Sequence, residues 1–335
     1  MRVLHLSLTS LAGVPEKYAS FFRKHSDIKT RSATCFLGNI KFPKDIQVPF
    51  RPSPKTPNDK MRGIPLECDE LINAIEEADI IHMHNLPPIA SNSPTWEIVE
   101  KKPIVLQLHR PPGCSVSEHA ALRDKITIGK LLVIAQYQAV VLKKTFPDII
   151  PVRNIVDIND ELLLPLIQEN HIPIITYTPS NRKPKKRAGW AYKSFNEVEP
   201  VLNNLRDKKI IEFIQARGMP WVKILALRKK ANIHVDEVSS GSYHLGSLEA
   251  LSQGTIAVAH IATWMEELLK EVTGCEWLPW VDATETSFKK VITDLLKDKD
   301  ALLERQKKSR QWMEKYWSSR IILEDYRRIY EEALS

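Results

Sequence analysis

What most constrains this chain is a succession of short apolar runs, four to six residues long. They occur within residues 2–8 (RVLHLSL), 78–85 (ADIIHMHN), 101–113 (KKPIVLQLHRPPG), 172–180 (IPIITYTPS), 208–216 (KKIIEFIQA), 232–238 (NIHVDEV) and 255–259 (TIAVA). Segments of helical spacing alternate with them. Continuous rather than alternating apolar runs belong to strands covered on both faces, so the pattern predicts an α/β fold with parallel sheets. The chain has 335 residues, 43% of them hydrophobic, enough for two cores; at about 100–200 residues per domain, two domains are expected. We place an N-terminal Rossmann-like domain at 1–158, a linker at 159–171, a second α/β domain at 172–312, and a closing helix at 313–335 that packs back toward the first domain. Ligands of such sheets sit beyond the carboxyl ends of the strands, where His84, Asn85, His109 and Arg110 fall.

The chain opens as strand, small turn at Gly13, and a helix starting near Pro15. There is no Gly-x-Gly-x-x-Gly, which argues against a dinucleotide site. Residues 42–65 are rich in Pro and Lys and read as a long surface loop. Two amphipathic helices close the chain, with helical spacing of apolar residues over 312–334.

Residues 236–259 (DEVSSGSYHLGSLEALSQGTIAVA) stand apart. A Ser- and Gly-rich loop leads into a short helix that carries Glu249 and stops at Gly254. Loop amides and the positive end of a helix dipole suit an anion such as phosphate. A carboxylate on that helix suits the hydroxyls of an attached sugar, so a sugar nucleotide fits the element. Ordinary loop–helix–strand punctuation with a solvated Glu fits it too.

The net charge of +7 and a pI of about 9.1 favour anionic partners: phosphates, acidic headgroups or nucleic acid. Cys35, Cys68, Cys114 and Cys275 are scattered without metal or disulfide spacing, as reduced cytosolic thiols would be. No signal-peptide pattern and no apolar run near the ~20 residues of a membrane span are present. The expected location is cytoplasmic, or peripheral at the inner membrane face. His82, His84 and His109 have no acidic partner at ligand-like spacing, and no metal is expected.

Taken in order, AGVPEKYASFF, ADIIHMHN, VLQLHR, VRNIVDI, TYTPSNRKPKK, residues 236–259 and YRRIYEEAL make the chain resemble the retaining, family-four type of GT-B glycosyltransferase over nearly its whole length. The resemblance implies a GT-B architecture, two Rossmann-like domains facing each other across a cleft. Glu249-Ala250-Leu251-Ser252-Gln253-Gly254 is similar to the second half of the family's pair of Glu residues; Gly241 stands where the first Glu would be. The resemblance implies a nucleotide-diphosphate sugar as donor, UDP- or GDP-linked, with no metal or other cofactor. Glu249 would hold the ribose. The loop Ser240, Gly241, Ser242 and Tyr243, with Arg182 and Lys185 or Lys186, would hold the diphosphate. From the N-terminal domain Gly13 would approach the leaving phosphate and His109 would contact the donor sugar or help position the acceptor, with His84 and Arg110 on the acceptor side.

The implied reaction transfers a sugar to a hydroxyl with retention at the anomeric carbon, in cell-surface glycan or glycolipid synthesis. The basic balance fits an anionic or membrane-surface acceptor and also DNA, in which case a hydroxymethylated base would be glycosylated. A non-hydrolysing sugar-nucleotide epimerase and a catalytically silent binding protein share the fold; the absent first Glu favours the silent protein.

Overall fold

The computed structural model describes residues 1–36, 43–52, 63–179 and 193–335. It divides into two compact units. One comprises Met1–Ile155 with Arg320–Ser335, the other Val156–Ser319.

The first unit runs β1 (Arg2–Thr9), α1 (Val14–His25), β2 (Lys29–Phe36), β3 (Ile46–Gln47), β4 (Phe50–Pro52), β5 (Gly63–Pro65), α2 (Asp69–Glu77), β6 (Ile80–His84), α3 (Thr95–Val99), β7 (Ile104–Leu108), α4 (Pro112–Arg123), β8 (Lys130–Ile134), α5 (Tyr137–Leu142) and β9 (Ile150–Val152). Its main sheet has the order β3-β2-β1-β6-β7-β8-β9, all parallel. Strand order reverses between β1 and β6, and this switch point is where doubly wound sheets bind ligands. β6 and β7 are buried at every position, as expected of strands covered on both faces.

The second unit runs β10 (Ile174–Tyr177), α6 (Phe195–Asp207), β11 (Glu212–Gln215), α7 (Trp221–Lys229), β12 (Ile233–Val235), α8 (Leu245–Ser252), β13 (Ile256–Ala259), α9 (Thr263–Thr273), β14 (Val281–Asp282), α10 (Phe288–Leu295) and α11 (Lys299–Tyr316). Its parallel sheet has the order β11-β10-β12-β13-β14, which puts the switch point between β10 and β12. Ile175, Tyr177, Ile233, Val235, Ile256 and Val258 form the sheet side of its core.

Two readings of the sequence need correction. Residues 46–52 are not plain loop: Ile46 and Val48 are fully buried, β3 extends the main sheet, and β4 and β5 form an antiparallel ribbon. The helical spacing over 312–334 spans two helices. α11 ends at Tyr316, and α12 (Ser319–Leu334) begins after Trp317, which is itself buried and stacks on Trp312 at 5.6 Å. α12 joins the first unit, where Tyr326 and Tyr330 are fully buried.

Candidate functional site

In the first unit the carboxyl ends of β1, β6 and β7 hold a concentration of unusual backbone. Ala12 (φ 53°), Gly13 (φ 72°) and Asn85 (φ 59°) are all left-handed, a conformation that costs L-residues free energy and gathers at ligand-binding loops. Gly13 is the N-cap of α1. Asn85 Oδ1 accepts from the His109 amide at 2.8 Å, tying the ends of β6 and β7 together.

Beneath this edge lies a buried polar layer. His5, His82 and His84 point from one sheet face toward α1 and α12. His5 Nδ1 lies 3.0 Å from His84 Nε2, and His84 Nδ1 lies 3.0 Å from His109 Nε2. His82 Nδ1 lies 2.8 Å from the Tyr330 hydroxyl. Gln107 Nε2 donates to Tyr18 Oη at 2.8 Å, Tyr18 and Tyr326 hydroxyls are 2.9 Å apart, and Tyr326 donates to Gln107 Oε1 at 3.3 Å, closing a ring. Burial lowers all four histidines: His5 and His109 to about 3, His82 and His84 well below the usual imidazole range.

These facts revise two sequence expectations. His84 is 1% exposed with both ring nitrogens engaged by other histidines, so it does not reach an acceptor. Arg110 is paired with Glu118 at 2.7 Å, so its charge is compensated. His109 does sit at the strand end, with 8% of its surface exposed. His5, His82 and His84 place ligand-type atoms within 4.8 Å of one another. The rings of His82 and His84 stack at 4.3 Å and 27°, however, and both His84 nitrogens are occupied, so the set does not converge on a metal as it stands.

In the second unit the switch point is organised around Asp236, which is fully buried. Its carboxylate accepts from Lys193 Nζ, the His244 amide and Ser247 Oγ, each at 2.7 Å. His244 Nδ1 is 3.3 Å from Asp236 Oδ1 without hydrogen-bond geometry. Burial alone would push this carboxyl up; Lys193 and His244 outweigh it and hold the group well below the carboxylate range. Because His244 is the N-cap of α8, the anion at the start of this helix is the chain's own Asp236. Lys193 and Ser194 are both left-handed, at φ 49° and 54°, and Ser194 is the N-cap of α6. Glu237 accepts from the Ser240 amide and from Ser239 Oγ, and burial raises its pKa.

The loop residues therefore serve the fold more than the sequence implied. The amides of Ser240, Ser242 and His244 already bond to Glu237, Ser240 Oγ and Asp236, so these three are not free for a diphosphate. Tyr243 is 1% exposed and packs 5.1 Å from Trp280, and Ser242 Oγ lies 3.3 Å from Met265 Sδ. Gly241 has φ +75°, and a Cβ there would lie 2.8 Å from Ala262 Cβ and 3.1 Å from the Trp264 ring. A carboxylate at this position is sterically closed.

Glu249 is likewise not an open carboxylate. It is 5% exposed, with Oε1 accepting from Trp221 Nε1 at 2.8 Å and Oε2 from Arg228 Nη1 at 2.7 Å. This ion pair joins α7 to α8. Arg182, Lys185 and Lys186 lie outside the described residues. Lys193 escaped the sequence reading, as did the central place of Asp236. Their one signal was position: a Lys opening the helix after β10, and an acidic residue at the end of β12.

No protein-family model matches the chain, and no curated protein matches it. Solved structures do. Sucrose-phosphate synthase from Thermosynechococcus elongatus aligns at 10% identity over 99% of this chain and 98% of that chain, TM-score 0.57. HepE of Anabaena in complex with UDP-glucose aligns at 12% identity over 99% of this chain and 100% of that one, TM-score 0.60. A glycosyltransferase from Rickettsia africae ESF-5 aligns at 13% identity over 100% and 98%, TM-score 0.58. At such identities the likeness is one of fold. The α/β, GT-B-type fold class expected from the sequence is the one found. No helix among the described residues is long and apolar enough to cross a membrane.

Proposed function

We propose that the chain is a glycosyltransferase that moves a sugar from a nucleotide-diphosphate donor to a hydroxyl acceptor, with retention at the anomeric carbon. One observation carries this reading. Each unit is built on a doubly wound parallel sheet with a switch point at the carboxyl ends of its strands, in a fold shared with HepE, whose structures hold UDP-glucose, or UDP and glucose. A diphosphate leaves with growing negative charge, and preorganised cations stabilise that charge. We assign the task to Arg182 with Lys185 and Lys186, rather than to a metal, since Lys193 is already paired with Asp236, and take a UDP-sugar as the first donor to test. Glu249 contacts a ribose in this reading only through its remaining lone pairs, since Arg228 and Trp221 hold the others. Gly13 and His109, at the carboxyl edge of the first unit's sheet, are assigned to the reacting groups. An anionic acceptor fits the net charge of +7; steep loss of acceptor binding with added salt would mark it as DNA.

The test is donor binding and turnover in Arg182→Ala and Lys185→Ala proteins. We expect UDP-sugar affinity and UDP release to fall at least tenfold while the melting temperature stays unchanged. Unchanged affinity in both would remove the diphosphate assignment. Gly241 favours a second reading, a silent sugar-nucleotide binding protein, because no carboxylate can stand there. Binding of a donor without transfer or hydrolysis, across UDP-, GDP- and ADP-sugars, would select it.

A further inference from the structure

The histidines of the first unit form a line with a direction. β1, β6 and β7 are neighbours in the sheet. His5 pairs in register with His82, and His84 with Gln107, so His5, His84 and His109 step diagonally from the core to the carboxyl edge. The two links are both 3.0 Å.

A neutral imidazole has one N–H and one lone pair. His84, bonded to a histidine on each side, must donate to one and accept from the other. The line therefore has only two proton orders. In the first, His5 Nδ1–H donates to His84 Nε2, His84 Nδ1–H donates to His109 Nε2, and His109 carries its remaining proton on Nδ1. In the second every bond is reversed, His109 Nδ1 is a bare lone pair, and His5 must carry a proton on Nε2.

The inner end decides between them. His5 Nε2 is buried and without a partner among the described residues, and His5 is 0% exposed. An orphaned buried N–H is rarer in folded proteins than an acceptor left short of a donor. In the first order that nitrogen carries no proton. The outer end is different: His109 retains 8% exposure, and its Nδ1 is not among the closed-off nitrogens.

We propose that His5 and His84 are positioning residues that lock His109 as its Nδ1–H tautomer, so that His109 meets a ligand oxygen at the sheet edge as a hydrogen-bond donor and not as a base. Burial holds all three rings neutral, which keeps the proton count that the order requires. The identity of the oxygen, on the donor sugar or its leaving phosphate, rests on the proposed function; the tautomer itself does not.

The experiment is long-range 1H–15N correlation of the imidazoles in full-length, 15N-histidine-labelled protein without ligand. His109 should show a pyrrole-type Nδ1 and a pyridine-type Nε2. His84→Phe removes the link, and the His109 signals should move to a mixture of the two forms. In His84→Gln the amide can donate to His109 Nε2 and accept from His5 Nδ1, so the wild-type pattern should return. His5→Phe, which keeps His84, serves if His84→Phe does not fold; it too should release the pattern. A pyridine-type Nδ1 in the wild type, or an unchanged His109 in a folded His84→Phe or His5→Phe protein, overturns the proposal. A confirmed tautomer in a protein that binds no sugar nucleotide would instead count against the functional reading alone.

Discussion

Replacing Glu249 by Ala should destabilise the second unit far more than loss of a surface carboxylate would. The Arg228 and Glu249 side chains are 3% and 6% exposed and 2.7 Å apart. Arg228 Nε is buried without a partner, so Glu249 supplies the guanidinium's compensation at Nη1. Removing one member of a buried pair leaves an uncompensated charge, at a cost of about 3–5 kcal/mol. For a unit of 150–250 residues each kcal/mol moves the melting temperature by about 2–4 °C, so a fall of roughly 6–20 °C is expected. Replacing both partners, as in Arg228→Met with Glu249→Leu, should recover most of that loss, short of the bond Glu249 also accepts from Trp221 Nε1, because apolar isosteres often equal a buried ion pair. Differential scanning calorimetry on the two single variants and the double variant completes the cycle. A shift of under about 2 °C for Glu249→Ala, or a double variant as unstable as the single, would refute the reasoning. Donor affinity in Glu249→Ala has meaning only below the shifted melting temperature.

Acid should act on the first unit through its histidines. Burial lowers His5 and His109 to about 3 in the folded chain, and His82 and His84 well below 6.5, so the contribution of all four is complete above pH 6.5 and is lost as pH falls below it, down to about 3 for His5 and His109. Each imidazole adds up to about 1.4 kcal/mol per pH unit in that window; urea unfolding at pH 7 and pH 5 should differ strongly, and equal midpoints would contradict the buried neutral cluster. Gly241→Glu should not raise activity and should destabilise the second unit, by roughly 1–2 kcal/mol for the left-handed backbone and about 1–3 kcal/mol for overpacking; a stable, more active variant in thermal and turnover assays would show that the loop can open. Lys193→Met leaves the buried Asp236 carboxylate without its cation, and should cost about 3–5 kcal/mol in denaturant titration, whereas adding Asp236→Leu should not restore wild-type stability, because the His244 amide and Ser247 Oγ then lose their acceptor.

The strands were legible because parallel strands covered on both faces need unbroken apolar runs, as in IVLQL of β7 and IAVA of β13. Loop 236–244 stood out for the same local reason, a cluster of small residues before a helix. What the sequence hid is what depends on register and distance. Lys193 follows the basic run 182–187, which masks it, and its partner Asp236 is 43 positions away. The His5–His84–His109 line needs three strands in register, and no spacing along the chain announces it. The partners of Glu249, Trp221 and Arg228, come from the preceding helix. A free carboxylate and a buried pair read alike until α7 is placed against α8. Helical spacing ran through Trp317 because that residue is buried as well, although the helix is not continuous there.

The measurement that bears most directly on the central claim is calorimetric titration of the full chain with UDP-glucose and its GDP and ADP counterparts, followed by assay of nucleotide diphosphate release with and without an acceptor. The account predicts saturable binding of one donor class, release of its nucleotide diphosphate, and loss of both in Arg182→Ala. Absence of binding to every sugar nucleotide by the folded protein would contradict it.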